Sequence, residues 1–169
     1  GERTNPWMQE SSNKIIQQGE IVSFDTDMVG PYGYCADISR TFVCGNDFNN
    51  TQKELYSMSL EQINHNSNLI KADMSFKEFT EKSWKLPEEY YGNRYSVMVH
   101  GIGLCDEWPS IRYPTDGGDK SGRFLKNMTI TVESYIGKVG GKEGVKLEQQ
   151  YLVGENGLEL MSHHPLENI

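Results

Sequence analysis

Apolar positions along the chain fall into short runs separated by turn residues, and two periods can be read in them. Gly19-Glu20 opens the run Ile21-Val22-Ser23-Phe24, which is short and apolar enough for a buried strand ending at Asp25-Thr26-Asp27. Gly30-Pro31-Tyr32-Gly33 carries strong turn chemistry. A second strand is expected from Cys35 to Cys44, stopping at Gly45, and the two are expected to pair as an antiparallel hairpin. The period then lengthens. Thr51-Gln-Lys-Glu54 has the pattern of a capping box, and Leu55, Met58, Ile63 and Ile70 recur near helical spacing behind it. Ser75-Phe-Lys-Glu78 repeats that start signal for a shorter helix through Phe76, Phe79 and Trp84, stopped by Pro87.

Strand patterning returns in the second half. Tyr95 to Val99 reads as a strand entering His100, and Met128 to Tyr135 and Gly144 to Val153 read as two more. Gly154-Glu-Asn-Gly157 is the turn after them. Gly117-Gly118 and the glycine-rich stretch from Gly137 to Gly144 read as surface loops. The order of strand pair, helix pair and then strands predicts an α+β fold. At 169 residues, with no internal repeat, residues 1–169 are expected to form a single domain with its own core.

Composition adds exclusions. The chain is 36% hydrophobic and 24% charged, as for a water-soluble globular protein, and no run approaches the roughly 18 apolar residues of a membrane span. A formal charge of −8 argues against a nucleic-acid partner, whose binders present a basic face. Cys35, Cys44 and Cys105 are odd in number and form no C-x-x-C pair, which points to small buried hydrophobes in a reducing, cytoplasmic setting.

Part of the acidity has a local explanation. Asp25 and Asp27 share a strand face by period two, and Asp37 lies ten residues on, where a hairpin can bring it back beside them. Acidic residues also flank ordinary turns, so this cluster alone is weak. His100 begins His100-Gly-Ile-Gly103, where glycines allow close backbone approach to a ligand. Glu133 and Glu148 each sit inside an apolar strand, in Thr131-Val-Glu133 and Lys146-Leu-Glu148-Gln. Any one of these residues alone reads as structural. Together they suit two divalent cations bridged by carboxylates, with imidazole completing one.

These segments resemble the pita-bread superfamily of creatinase, aminopeptidase P and methionine aminopeptidase. The resemblance lies in Asp27, Gly33-Tyr34-Cys-Ala-Asp37-Ile-Ser-Arg-Thr-Phe42, His100-Gly-Ile-Gly103, Thr131-Val-Glu133 and Lys146-Leu-Glu148, with all ligand classes in family order. It implies a C-terminal part of the pita-bread catalytic domain, with further elements and a separate domain upstream. It also implies metal ligands at Asp25 or Asp27, Asp37, His100, Glu133 and Glu148. Peptidases of the superfamily usually carry histidines seven residues after the metal histidine and four before it. Here those positions hold Glu107 and Ser96, which removes the donors an oxyanion would need.

The longer strings Asp25-Thr-Asp-Met-Val-Gly-Pro-Tyr-Gly-Tyr-Cys-Ala-Asp37, His100-Gly-Ile-Gly-Leu-Cys-Asp-Glu-Trp-Pro109 and Gly144-Val-Lys-Leu-Glu-Gln-Gln150 are similar to the DddP-type dimethylsulfoniopropionate lyases. That likeness implies a small-molecule substrate, Asp106 as catalytic base and Tyr95 as a substrate-positioning residue. It also implies two divalent transition-metal ions, iron first, with manganese, cobalt or zinc as alternatives, and a homodimer. Asp106 reads equally well as a loop cap, and Tyr95 and Trp108 as packing. Arg40 reads as a carboxylate partner, and His65, His163 and His164 as surface residues. The expected activity is a metal-dependent carbon–sulfur lyase. A dinuclear Xaa-Pro peptidase is second, and a non-catalytic binding module, which would predict broken ligands, is last.

Overall fold

A computed structural model describes residues 1–45, 47–118 and 120–166. The expected α+β order is present. A first region contains β1 (Ile21–Asp25), β2 (Met28–Val29), β3 (Cys35–Ala36) and β4 (Ser39–Val43). The helices α1 (Asn50–Leu69), α2 (Phe76–Lys82) and α3 (Glu88–Tyr91) follow. The second region is a sheet of β5 (Val97–Gly101), β6 (Ser110–Arg112), β7 (Thr129–Gly137), β8 (Gly144–Val153) and β9 (Leu158–Leu160). Its strand order is β6-β5-β7-β8-β9, and every neighbouring pair is antiparallel.

The expected hairpin forms, but in two pieces. β1 pairs with β4 and β2 with β3, so each long strand is broken, at Thr26-Asp27 and at Asp37-Ile38. The breaks release Asp27 and Asp37 from the ladders, while Asp25 stays paired with Ser39 at the end of β1. The single turn Pro31–Gly33 closes the hairpin, with Tyr32 and Gly33 at positive φ.

Helix α1 begins two residues before the sequence pattern indicates. Its cap is Asn49, whose Oδ1 accepts from the Gln52 backbone N–H at 3.0 Å while Gln52 Oε1 accepts from the Asn49 N–H at 2.9 Å. Thr51 and Glu54 are exposed residues inside the helix, so their spacing mimics a box that Asn49 and Gln52 make. The inward stripe is half polar. Leu55, Tyr56 and Ile63 pack on Ile136, Val145 and Leu147, while Ser59 and Gln62 meet Ser134 and Tyr113 through hydrogen bonds of 2.6–2.9 Å. Helix α2, capped by Ser75, ends at Lys82, short of Trp84, and Pro87 opens α3 instead of merely stopping α2.

A second cluster, with Ile70, Phe76, Phe79, Phe124, Met98, Ile111, Ile130 and Val132, lies under the other end of the sheet. The expected strand before His100 is displaced by two residues: Tyr95 lies outside it and His100 and Gly101 lie within it. The three-residue strands β6 and β9 carry too short a pattern to be read from sequence. The stretch after Gly137 is a tight connection, because β7 and β8 stay paired as far as Gly137 and Gly144.

A candidate metal centre between sheet and hairpin

Three strands of the sheet bring three candidate ligands to one face. Glu133 and Glu148 are direct partners in the β7–β8 register, and His100 pairs with Thr131 one strand away. Directly opposed residues of an antiparallel pair point to the same side. The hairpin then presents Asp37 to this face, and the Asp37 backbone N–H is held by Gln150 Oε1 at 3.3 Å. His100 Nε2 lies 3.2 Å from Glu148 Oε1, 3.3 Å from Glu133 Oε1 and 3.5 Å from Asp37 Oδ2. On the other side of the ring, Nδ1 lies 3.0 Å from the Gly101 carbonyl, a contact that leaves Nε2 as the ligating nitrogen.

Two overlapping groups of ligand atoms, Asp37–His100–Glu148 and Asp25–Asp27–Asp37, each gather within 4.8 Å. Asp37 belongs to both. Asp25 is half-buried, accepts from Ser39 Oγ at 2.5 Å and lies 3.7 Å from Lys146 Nζ. Asp27 is exposed. The set of five carboxylates and one imidazole is of the kind that holds divalent transition metals. A second observation fits that reading. Asp37 Oδ1 and Glu133 Oε1 are buried and have no hydrogen-bond partner, although a buried acceptor is costly to leave unsatisfied. A cation among them would satisfy both.

The electrostatics show how tightly the carboxylates are held. Burial pushes Asp37 up to about 7 and Glu133 up to about 8, reinforced by the Glu148 charge. Glu148 is buried too, but Lys146 and His100 hold it well below the usual carboxylate range. Burial alone disfavours the imidazolium of His100. Its contacts with Asp37 and Glu148 outweigh that and raise it to about 12. Without metal, the centre therefore retains protons that ligation would release.

Sequence reasoning passed over two residues. Lys146 is fully buried, with its Nζ 2.6 Å from Glu133 Oε2 and 3.3 Å from Glu148 Oε2. Ser39 Oγ links Asp25 to Glu148, at 2.5 and 2.9 Å. A signal existed for each, because Lys146 stands two residues before Glu148 and Ser39 two after Asp37, which is strand spacing.

The remaining expected residues surround the centre. Asp106 Oδ1 lies 3.9 Å from His100 Nδ1 and also accepts the Glu107 backbone N–H at 2.9 Å, so it caps its loop while standing beside His100. The Tyr95 ring lies 5.1 Å from Lys146 Nζ. Trp108 is exposed. Among the described residues, Arg40 pairs with no carboxylate. Its guanidinium donates to the Glu148 carbonyl at 2.6 Å, to Gln149 Oε1 at 2.6 Å and to the carbonyls of Ser39, His164 and Pro165. His65, His163 and His164 are exposed, as expected. Gly101 allows a close backbone approach, though not to a ligand: a Cβ there would lie 2.1 Å from the Trp108 carbonyl oxygen. Glycine lets the 102–108 loop fold back onto β5 and carry Asp106 to His100.

Known proteins share this sequence pattern and fold. The chain is 40% identical to dimethylsulfoniopropionate lyase DddP of Roseovarius nubinhibens over 99% of its length, covering 38% of that protein. It is 33% identical to the Xaa-Pro dipeptidase of Pyrococcus furiosus over 90% of its length, covering 42% of that relative. The solved prolidase of Pyrococcus horikoshii superposes on 94% of the chain with a TM-score of 0.76 at 27% identity, over 44% of its own length. The X-Pro aminopeptidase of Thermotoga maritima gives 0.76 at 27% identity, over 96% of this chain and 45% of its own. The chain thus spans less than half the length of the relatives it matches, and its fold is the pita-bread fold of these enzymes. With the sequence model of metallopeptidase family M24 matching residues 1–155, the chain belongs to that family.

Proposed function

We propose that this chain is the metal-binding half of a lyase that cleaves dimethylsulfoniopropionate to dimethyl sulfide and acrylate. The observation that carries the reading is the 40% identity to a lyase of that name over 99% of the chain. Two divalent ions would be held by Asp25, Asp27, Asp37, His100, Glu133 and Glu148. Iron is the first choice, with manganese, cobalt or zinc as alternatives. When bound, the ions supply positive charge that acidifies the C–H next to a substrate carboxylate.

The protein's own groups do the rest. Asp106 takes the proton from the carbon next to the carboxylate, the electron pair forms the C=C bond, and dimethyl sulfide leaves the β-carbon with the C–S electrons. Tyr95, walled in beside Lys146, orients the substrate. Its phenol is pushed up by burial and by the charges of Glu133 and Glu107, so it stays a neutral hydrogen-bond donor. The working protein acts in the cytoplasm on a small molecule and forms a homodimer. Cys35 and Cys44 are half-buried and Cys105 is exposed, so none is the buried hydrophobe expected from sequence, but all three are free, which supports the reducing setting. Among the described residues, no helix is long and apolar enough to cross a membrane.

A second reading, Xaa-Pro dipeptide hydrolysis, draws on the 33% identity to the Pyrococcus furiosus dipeptidase. Glu107 and Ser96, at the places of the usual peptidase histidines, weigh against it. The full-length protein, loaded with iron, should be assayed by gas chromatography for dimethyl sulfide release beside Xaa-Pro dipeptide cleavage. Sulfide release without cleavage is the expected result, and cleavage without sulfide would replace the lyase reading with the second.

A further inference from the structure

Among the described residues, Lys146 is the one fully buried cation that the proposed reaction leaves without a task. Its side chain has no solvent-accessible area, so the ammonium depends entirely on protein partners. It has three: Glu133 Oε2 at 2.6 Å, Ser39 Oγ at 3.0 Å and Glu148 Oε2 at 3.3 Å. An ammonium carries three donors, and the three acceptors match them. Asp25 Oδ2, at 3.7 Å, and the Tyr95 ring complete the enclosure.

These contacts are unevenly shared, and Glu133 shows it most. Its Oε2 takes the shortest of the lysine's bonds, whereas its Oε1 has no hydrogen-bond partner and lies 3.3 Å from His100 Nε2. The two oxygens of a free carboxylate are interchangeable, because the terminal torsion is broad and two-fold. The ammonium removes that freedom.

We propose that Lys146 is a positioning residue of the metal centre, fixing one oxygen of Glu133 so that the other faces the ion beside His100. The inference rests on the divalent-metal reading given above.

Titration calorimetry of the full-length protein with manganese(II) chloride tests this, comparing the unmutated protein with Lys146→Met and Lys146→Arg. Loss of an outer-shell partner of this kind typically weakens metal binding about 10–100-fold, and that is expected for Lys146→Met. Lys146→Arg, which keeps a charged donor, should recover most of the affinity. Melting of the metal-free proteins reads any purely structural contribution separately. Unchanged affinity in Lys146→Met overturns the proposal. So does tighter binding, which would make the lysine a competitor of the metal. If Lys146→Met does not fold, a crystal structure of the manganese-loaded unmutated protein decides. Glu133 ligating through Oε1 alone, with Oε2 on Lys146, supports the role, and a bidentate Glu133 or a withdrawn lysine refutes it. An unmutated protein that takes up no manganese would instead overturn the metal reading itself.

Discussion

The sheet β5–β9 and the hairpin β1–β4 contribute to the same centre under different physical constraints. His100, Glu133 and Glu148 leave the middle of paired strands, are almost wholly buried and are fixed by ladder register. Asp25, Asp27 and Asp37 leave the ends and breaks of short ladders, and their burial falls from Asp37 to the exposed Asp27. A rigid sheet holds charged groups where desolvation would otherwise expel them. A broken hairpin brings carboxylates in from a more solvated side. The metal affinity should therefore be dominated by the sheet, while the hairpin and the 102–108 loop shape what happens to substrate.

The sharpest break in that contrast is expected from Glu148→Ala. Glu148 touches His100, Ser39 and Lys146 at once, so its loss should reduce metal content, read by plasma mass spectrometry, to background and abolish turnover with it. Next comes Asp106→Asn, on the loop. The amide keeps the shape and the metal but cannot accept a proton, and a positioned base contributes about 10²–10⁴-fold to rate. Dimethyl sulfide release should fall by that order at unchanged metal content. Near-normal rates would leave Asp106 as a loop cap only.

Acidity offers a third test. Asp37 and Glu133 keep protons in the folded, metal-free centre to about 7 and about 8, above their unfolded values, and His100 keeps its proton to about 12. Each raised group favours folding at low pH and loses that contribution as pH rises through its folded value. Metal binding needs the same groups deprotonated. The gap in melting temperature between metal-loaded and metal-free protein should consequently widen from pH 6 to pH 9, as followed by scanning calorimetry. A constant gap would mean that the ligands are already ionised without metal.

Within the hairpin, Asp27→Ala is expected to weaken metal binding more than Asp25→Ala. Asp25 is already engaged by Ser39 and Lys146, whereas Asp27 is exposed. Equal or reversed losses by calorimetry would assign the main ligand to Asp25. The smallest effect should come from Asn49→Ala, far from the centre. It removes the α1 cap at a cost of about 1 kcal/mol in chemical denaturation, with metal affinity unchanged.

The contrast also explains what the sequence made legible. Glu133 and Glu148 stood out through the motifs Thr131-Val-Glu133 and Lys146-Leu-Glu148, where each takes the polar position of a strand alternation, and the register set them side by side. The hairpin was visible as a pair of runs, but its breaks were not, because nothing local in Thr26 or Ile38 distinguishes a released residue from a paired one. The α1 cap was displaced because two overlapping polar tetrads offered the same signal, and tertiary packing of Gln52 chose between them. Lys146 was passed over because a lysine in a strand ordinarily reaches water. Only the walls formed by Tyr95, Asp25 and Ser39, distant in sequence, close off that exit.

Arg40 adds a constraint in time. Its guanidinium joins the Glu148 carbonyl to those of His164 and Pro165, which lie more than 120 residues farther along the chain. During synthesis at about 5–20 residues per second, Arg40 waits many seconds for acceptors that have not yet been made. The hairpin carrying the first aspartates can form early, but the clamp behind Glu148 closes only when the chain beyond β9 has emerged. On the ribosome, the centre is thus among the last parts of this region to be completed, and a cation captured earlier would meet only its hairpin half.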